Sequence, residues 1–372
     1  MHFLPRLRRA GVMAALIAIP VLPALADTLS AEVVGKVFVS GLSADGKVAV
    51  GQTTDNYETY RWQSGGRVTR LGRGTLDALS IISGSPAVSA DGSVVAATIL
   101  SDDGTYSTAA RWTSAGGWQM LTGLPPGGGN MDNETCSAYG ISGDGKVVTG
   151  LFWRPGMPGG TAHGMRWTAA TGMQDMGSDG GSSRIDAANA DGSVLVGWDE
   201  HPTYGNRRAA VWVNGVKTIL SPSDWPSEAT SVNAAGTVIV GNGPDPQNPV
   251  QVQALMWKWN GSGWTTTVIG VMNGRGKTGI AYATGVSDDG SIVTGVARKD
   301  VSSPASVGFV WTEAGGMVEA TEYLKANGMD PGKLYKIYNV TALSADGRTF
   351  AVAEKLAVQP FTIRSRLIHR AP

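Results

Sequence analysis

One short pattern recurs seven times along this chain, and such internal repetition restricts the fold more than any other feature of the sequence. Its centre is a turn tetrad: Ser43-Ala44-Asp45-Gly46, Ser89-Ala90-Asp91-Gly92, Ser142-Gly143-Asp144-Gly145, Asn189-Ala190-Asp191-Gly192, Asn233-Ala234-Ala235-Gly236, Ser287-Asp288-Asp289-Gly290 and Ser344-Ala345-Asp346-Gly347. Successive third positions lie 46, 53, 47, 44, 54 and 57 residues apart. A short apolar segment precedes each tetrad and another follows it. A variable loop, a segment ending in Trp, a Gly-rich turn and a last short segment complete the unit. The Trp positions are Trp62, Trp112, Trp167, Trp212, Trp257 and Trp311, with Phe361 standing there in the seventh unit.

Each tetrad has a physical reading. Ser or Asn suits the first position of a type I turn, and Gly suits the last. Gly in the left-handed region then matches that turn to a right-twisted hairpin. The Asp side chain accepts from nearby main-chain donors, so Asp45, Asp91, Asp144, Asp191, Asp289 and Asp346 are expected to fix turns. A calcium loop needs more oxygen ligands than one tetrad offers. The segments after the tetrads, such as Lys47-Val48-Ala49-Val50 and Ser193-Val194-Leu195-Val196, are short and β-branched. That pattern suits strands buried on both faces.

Four antiparallel strands in about 40–50 residues is the period of a propeller blade. The expected fold is therefore all-β: a seven-bladed β-propeller of four-stranded antiparallel blades, with repeats at about 38–74, 84–123, 137–178, 185–220, 229–270, 282–328 and 339–368. The repeated Trp residues are expected to pack between blades, since buried aromatics supply much of a β core. Unit seven lacks a fourth strand before the chain ends. Glu32 to Lys36 precedes the first strand of unit one, so the amino-terminal strand is expected to complete the last blade and remove an exposed edge. Thr321 to Asn327, in the long tail of unit six, reads as a short helix ended by Gly328.

These residues resemble the HAF-repeat family of extracellular repeats. The family unit runs roughly Ile-Ser-x-Asp-Gly-x-x-Val-x-Gly, then His-Ala-Phe-x-Trp, then Gly-Gly and Leu-Gly. Unit three matches best, with Gly140 to Gly150, His163-Gly164-Met165-Arg166-Trp167 and Met173 to Gly177. Departures are Ala235 for Asp, Val352 for the strand-end Gly, and Pro360-Phe361 for x-Trp. The resemblance covers nearly the whole chain after residue 26. It implies an exported bacterial protein and brings no established catalytic residues.

Residues 1–26 read as a signal peptide. Arg6, Arg8 and Arg9 precede an apolar run from Gly11 to Leu25, which ends in the small-x-small motif Ala24-Leu25-Ala26. The run is shorter than the roughly 20 residues a bilayer-spanning helix needs and holds two prolines. Residues 27–372 then form a single propeller domain, periplasmic or secreted, with no stable membrane anchor. They carry 27 basic and 30 acidic residues, a balance that excludes the basic footprint of a nucleic-acid binder. The single cysteine, Cys136, permits no internal disulfide and reads as a buried small residue.

No residue cluster declares a chemistry. HExxH, a nucleophile elbow and a cysteine-ligand set are absent, so no metal, cofactor or catalytic residue is assigned. His163 belongs to the repeat motif, and His201 lies in Trp198-Asp199-Glu200-His201-Pro202, read as a loop. The loops between strands two and three share one face with the connections between blades. They hold Tyr57, Tyr106, Trp153, Asp199, Tyr204 and Trp225, which are the expected ligand contacts, because irregular aromatic and polar loops on a rigid frame form recognition surfaces. The expected function is that of an exported, monomeric, non-catalytic scaffold for an extracellular ligand, carbohydrate or protein. Two alternatives stand beside it: a glycan hydrolase or lyase using loop carboxylates such as Asp199 and Glu200, and a structural surface repeat without a small ligand.

Overall fold

The computed structural model describes residues 28–73, 84–157, 160–221, 224–272, 279–299, 305–332, 335–357 and 362–371. The expected signal peptide and Phe361 lie outside them. Seven four-stranded antiparallel sheets follow one another as blades. Their inner strands are Val37–Leu42, Ala87–Val88, Cys136–Ile141, Ser183–Ala188, Glu228–Val232, Ile280–Val286 and Tyr335–Leu343. Each inner strand neighbours the next, and that of blade 1 neighbours that of blade 7, so the ring is closed.

Closure is made by the amino-terminal strand Leu29–Gly35, which forms the outer strand of blade 7. It pairs with Ile363–Arg370 from Leu29↔Arg370 to Gly35↔Ser365. The strand begins three residues before the expected Glu32, and Lys36 falls in the bend after it. Glu32 also reaches into blade 1, accepting from the Ser64 hydroxyl (2.6 Å) and the Gly65 N–H (3.0 Å). The closing strand thus ties the last blade to the first.

The second strands are enclosed between neighbouring blades, as their continuous apolar pattern requires; every residue of Val48–Thr53 is buried. Trp62, Trp167, Trp212, Trp257 and Trp311 are buried in the blade walls. Trp112 occupies the same place but stays partly exposed. Nothing in its surroundings explains the difference. The helix runs Ala320–Ala326 and ends in a left-handed Gly328 (φ 79°). Met329 N–H donates to Leu324 O and Gly328 N–H to Lys325 O, the paired bonds of a glycine-terminated helix. Its Leu324 and Ala320 pack against the wall between blades 6 and 7.

The tetrads form turns whose side chains bond within them. In blade 1 the Ser43 hydroxyl donates to Asp45 (2.8 Å), Asp45 accepts from Lys47 N–H (3.0 Å), and Ser43 Oγ accepts from Val48 N–H (2.9 Å). Blade 5 lacks the Asp. There Asn233 Oδ1 takes both main-chain donors, Thr237 N–H at 2.8 Å and Val238 N–H at 2.9 Å, so Ala235 costs the turn no partner. The turns also join one another. Ala44 N–H donates to Ala90 O, Ala90 to Gly143 O, Asp144 to Ala190 O, and Ala190 to Ala234 O. Ala234 N–H donates to Asp288 Oδ1, Asp288 N–H to Ala345 O, and Asp346 N–H to Ala44 O. This ring of bonds circles the axis on the turn face.

Inner strands bulge three residues before the tetrad, as at Ser40, Tyr139, Asp186, Thr230 and Thr284. Near the bulge of blades 1, 3, 4, 5 and 6 a main-chain carbonyl swings toward the second strand, and the facing residue is Gly; blade 2 has Ala97 at the matching place. A Cβ on Gly51, Gly150 or Gly197 would sit 1.8 to 2.0 Å from Phe38 O, Ser137 O or Arg184 O. Blade 7 has Val352 at this place, and its inner strand alone has a second irregularity, between Ile337 and Asn339.

Candidate functional site

Two faces are distinct. The turn face carries the tetrads and the turns between strands three and four. The loop face carries the connections between strands two and three and those between blades. Tyr57 sits in the blade 1 loop at a positive φ of 54°. Tyr106 closes the blade 2 loop, its carbonyl accepting from Ser101 N–H. Trp153 lies not in a loop but in the second strand of blade 3, Val148–Arg154, because pairing with Ala162 extends that strand. Its indole N–H donates to Glu134 (2.7 Å), a carboxylate that also takes the Ser137 hydroxyl (2.6 Å). These three residues lie in separate blades.

Tyr204 and Trp225 belong to one sector. Tyr204, 63 % exposed, lies with its ring 4.7 Å from that of His201. His201 Nδ1 faces the Thr203 N–H (3.0 Å), which shapes the loop. Its Nε2 is 3.7 Å from Asp224, so the Tyr204 loop meets the connection that carries Trp225, 46 % exposed.

Asp199 departs from its expected setting. Trp198, Asp199 and Glu200 belong to the second strand Val194–Glu200 rather than to a loop, because pairing with Arg207 and Arg208 extends that strand to Glu200. Asp199 is fully buried. Its carboxylate accepts from the Ser178 hydroxyl (2.7 Å), the Asp179 N–H (3.1 Å) and Lys217 Nζ (2.7 Å). Glu200 accepts from Ser182 N–H at 2.8 Å. Both carboxylates considered for glycan cleavage are therefore engaged by the protein's own donors. His163 pairs with Asp175 at 2.8 Å, and Cys136 is buried, with burial pushing its thiol above the usual range. Among the described residues no group of three or more His, Cys, Asp or Glu side chains is placed to hold a metal.

Sequence reading missed the cluster beside the Tyr204 sector. Arg184, on the inner strand of blade 4, donates through Nε to Asp186 (2.6 Å) and through Nη2 to Glu228 on the inner strand of blade 5. The Tyr139 ring of blade 3 lies 4.3 Å from the guanidinium carbon and the Trp198 ring 5.5 Å. Arg207 stacks on Trp198 at 4.4 Å and approaches Glu228 at 3.3 Å. Burial, opposed by Arg184 and reinforced by the neighbouring Glu228, raises the Asp186 carboxyl to about 7. Burial disfavours the Arg184 charge, but Asp186 and Glu228 outweigh it and push its pKa above the ordinary arginine value. One signal in the sequence marks this place. Aligned on the tetrads, Tyr139 and Asp186 stand where four of the other five units carry Ser or Thr, unit two having Pro86.

The turn face carries grooves between blades: one of about 590 Å³ lies between blades 4 and 5, lined by Val213, Val216, Ile219, Thr237, Trp259 and Trp264, and one of about 560 Å³ lies between blades 3 and 4 beside Arg166, Asp191 and Asn214. Val216 is 70 % and Trp259 44 % exposed.

No family model and no curated protein matches the chain. Solved structures do. An oligogalacturonate lyase from Vibrio parahaemolyticus superposes with a TM-score of 0.55 at 11 % identity, over 92 % of this chain and 97 % of that one. A prolyl endopeptidase, one of two described for the role of inter-domain dynamics, gives a TM-score of 0.54 at 13 % identity. It covers 92 % of this chain, which spans half the length of that protein. TolB from Acinetobacter baumannii gives 0.47 at 14 % identity, over 73 % of this chain and 62 % of that one. At these identities the likeness shows the propeller fold alone.

Proposed function

We propose that the chain is an exported, non-catalytic binding scaffold of the HAF-repeat kind, and that its loop face, centred on the sector between blades 4 and 5, engages an extracellular saccharide or protein. The observation that carries this reading is the joining of two exposed aromatics, Tyr204 and Trp225, through the His201–Asp224 contact at a place the repeat does not require them. An exposed aromatic ring offers a flat face to a sugar or a peptide group. The turns of the opposite face are joined into a ring by main-chain bonds and one bond to the Asp288 carboxylate, and its tetrads are accounted for by turn geometry. Export follows from the signal sequence, with the mature chain starting at Asp27; among the described residues no helix is long and apolar enough to cross a membrane.

The test is a screen of the purified mature protein against immobilised glycans and extracellular peptides, repeated with Tyr204→Ala. Loss of the captured ligand at unchanged melting temperature supports the loop face. Capture that is indifferent to Tyr204→Ala and Trp225→Ala contradicts it. Release of shortened products from the captured ligand would establish a cleavage reading instead.

A further inference from the structure

The repeat isolates the anomaly. In blades 1, 5 and 6 the bulged residue is Ser40, Thr230 or Thr284, and each hydroxyl donates to a main-chain carbonyl of the next blade: Pro86 O (2.6 Å), Ala283 O (2.7 Å) and Val340 O (2.6 Å). Blade 2 has Pro86 there and no latch, and Thr341 Oγ1 of blade 7 finds no partner among the described residues. Blades 3 and 4 alone replace the small residue with ionisable side chains, Tyr139 and Asp186. Two residues upstream of the bulge, Arg184 and Glu228 occupy equivalent positions in adjacent blades. A break in the local rule at consecutive blades is where function is expected to override structure.

The cluster is unbalanced. Asp186 and Glu228 lie on the same edge of one guanidinium. The Asp186 side chain is nine-tenths buried, and its Oδ2 is enclosed without a hydrogen-bond partner. A buried carboxylate oxygen that finds no donor is expensive unless the group holds a proton. With a proton on Asp186, two guanidiniums face the single charge of Glu228. The surplus sits at the edge of the cluster: Arg207 is 49 % exposed, and Arg184, its guanidinium over the Tyr139 ring and 16 % exposed, uses Nε and Nη2 for Asp186 and Glu228, leaving Nη1 with no hydrogen bond among the described residues.

We propose that this cluster is the subsite for a carboxylate group of the ligand, received by the free edge of Arg184 and by Arg207 at the loop-face mouth between blades 4 and 5. The inference rests on the loop face being the binding face and adds the chemical class of what binds there. A planar guanidinium fork matches a carboxylate better than it matches a neutral hydroxyl. The groups that face the site are Glu134 and Tyr139 from the blade 3 side, Arg184, Asp186, Trp198 and Arg207 of blade 4, and Glu228 of blade 5. Removing the proton from Asp186 adds a negative charge against the same guanidinium, so a carboxylate is held more weakly as the pH rises through 7.

Calorimetric titration of the purified mature protein with glucuronate, glucose and inorganic phosphate, at pH 6 and pH 8, tests this. Glucuronate and glucose differ at one carbon, where one has a carboxylate and the other a hydroxymethyl. Glucuronate is expected to bind at pH 6 at least about tenfold more tightly than glucose, and several-fold more weakly at pH 8. Arg207→Gln should lower its affinity by about tenfold with the melting temperature unchanged. Arg184→Gln should do the same; if that variant unfolds, the pair Arg184→Gln with Glu228→Gln restores the charge balance. Glucuronate binding no tighter than glucose, or untouched by Arg207→Gln, overturns the proposal, and phosphate binding more tightly than glucuronate overturns the carboxylate assignment. A screened ligand that is lost on Tyr204→Ala but kept on Arg207→Gln removes this subsite and leaves the loop-face reading standing.

Discussion

Asp186 is a carboxyl whose folded-state pKa lies above its unfolded value, at about 7. The folded chain therefore holds a proton that the unfolded chain releases above about pH 4. Stability from this group falls as pH rises from about 4 to 7 and is constant outside that window. Asp186→Asn should flatten that decline, seen as a smaller difference between denaturant midpoints at pH 5 and pH 8 than in the wild type. An equal difference in both proteins would mean that Asp186 titrates normally. The turn carboxylates work in the opposite sense. The Ser89 hydroxyl and Ser93 N–H hold Asp91 below its usual value, and Ser287 and Ser291 do the same for Asp289. Their contribution is present above about pH 4 and is lost as the pH falls through their lowered values. These two kinds of aspartate were unequally legible. A tetrad is local chemistry, read from four consecutive residues. The Arg184 cluster joins residues from three blades, and only the register of the bulged inner strands brings them together. Asp199 misled because a polar run looks like a loop when the pairing that extends the strand is not visible.

The strand-end glycines and the wall tryptophans carry the element-scale argument. Gly150→Ala would drive a Cβ into Ser137 O, which lies 1.8 Å from the ideal position. The expected cost is about 2–3 kcal/mol, as for overpacked sites, measured by denaturant unfolding. A neutral result would mean that the bulge relaxes readily. Trp167 is buried in the wall between blades 2 and 3, and Trp167→Ala should cost about 3–5 kcal/mol, whereas exposed Tyr204→Ala should change stability by less than about 0.5 kcal/mol. Trp153→Ala is a poor probe of binding, because it would leave Glu134 without the indole donor. The strand pattern, tetrads and helix were readable from periodicity and turn residues. The reason for the strand-end Gly was not, since it depends on where a carbonyl of the neighbouring strand points.

At the scale of the molecule, closure and face are the two claims. Removing residues 27–35 would strip the outer strand from blade 7 and release Glu32 from the blade 1 turn. Cooperative unfolding should weaken by a few kcal/mol, and an unchanged melting temperature would show that the ring does not depend on this strand. The ring was legible because the seventh unit lacks a strand that the first unit has to spare. Of the residues proposed to meet a ligand, Tyr204 and Trp225 are brought into one sector, while Tyr57, Tyr106 and Trp153 remain in separate blades. The decisive measurement compares three single variants of the mature protein against whichever ligand the glycan and peptide screen captures: Tyr204→Ala on the loop face, Trp259→Ala in the turn-face groove, and Asp144→Asn in a tetrad. Binding should weaken by about 1–3 kcal/mol in the first alone, with all three folded. Binding that survives Tyr204→Ala and disappears with Trp259→Ala or Asp144→Asn would place the working surface on the opposite side of the propeller.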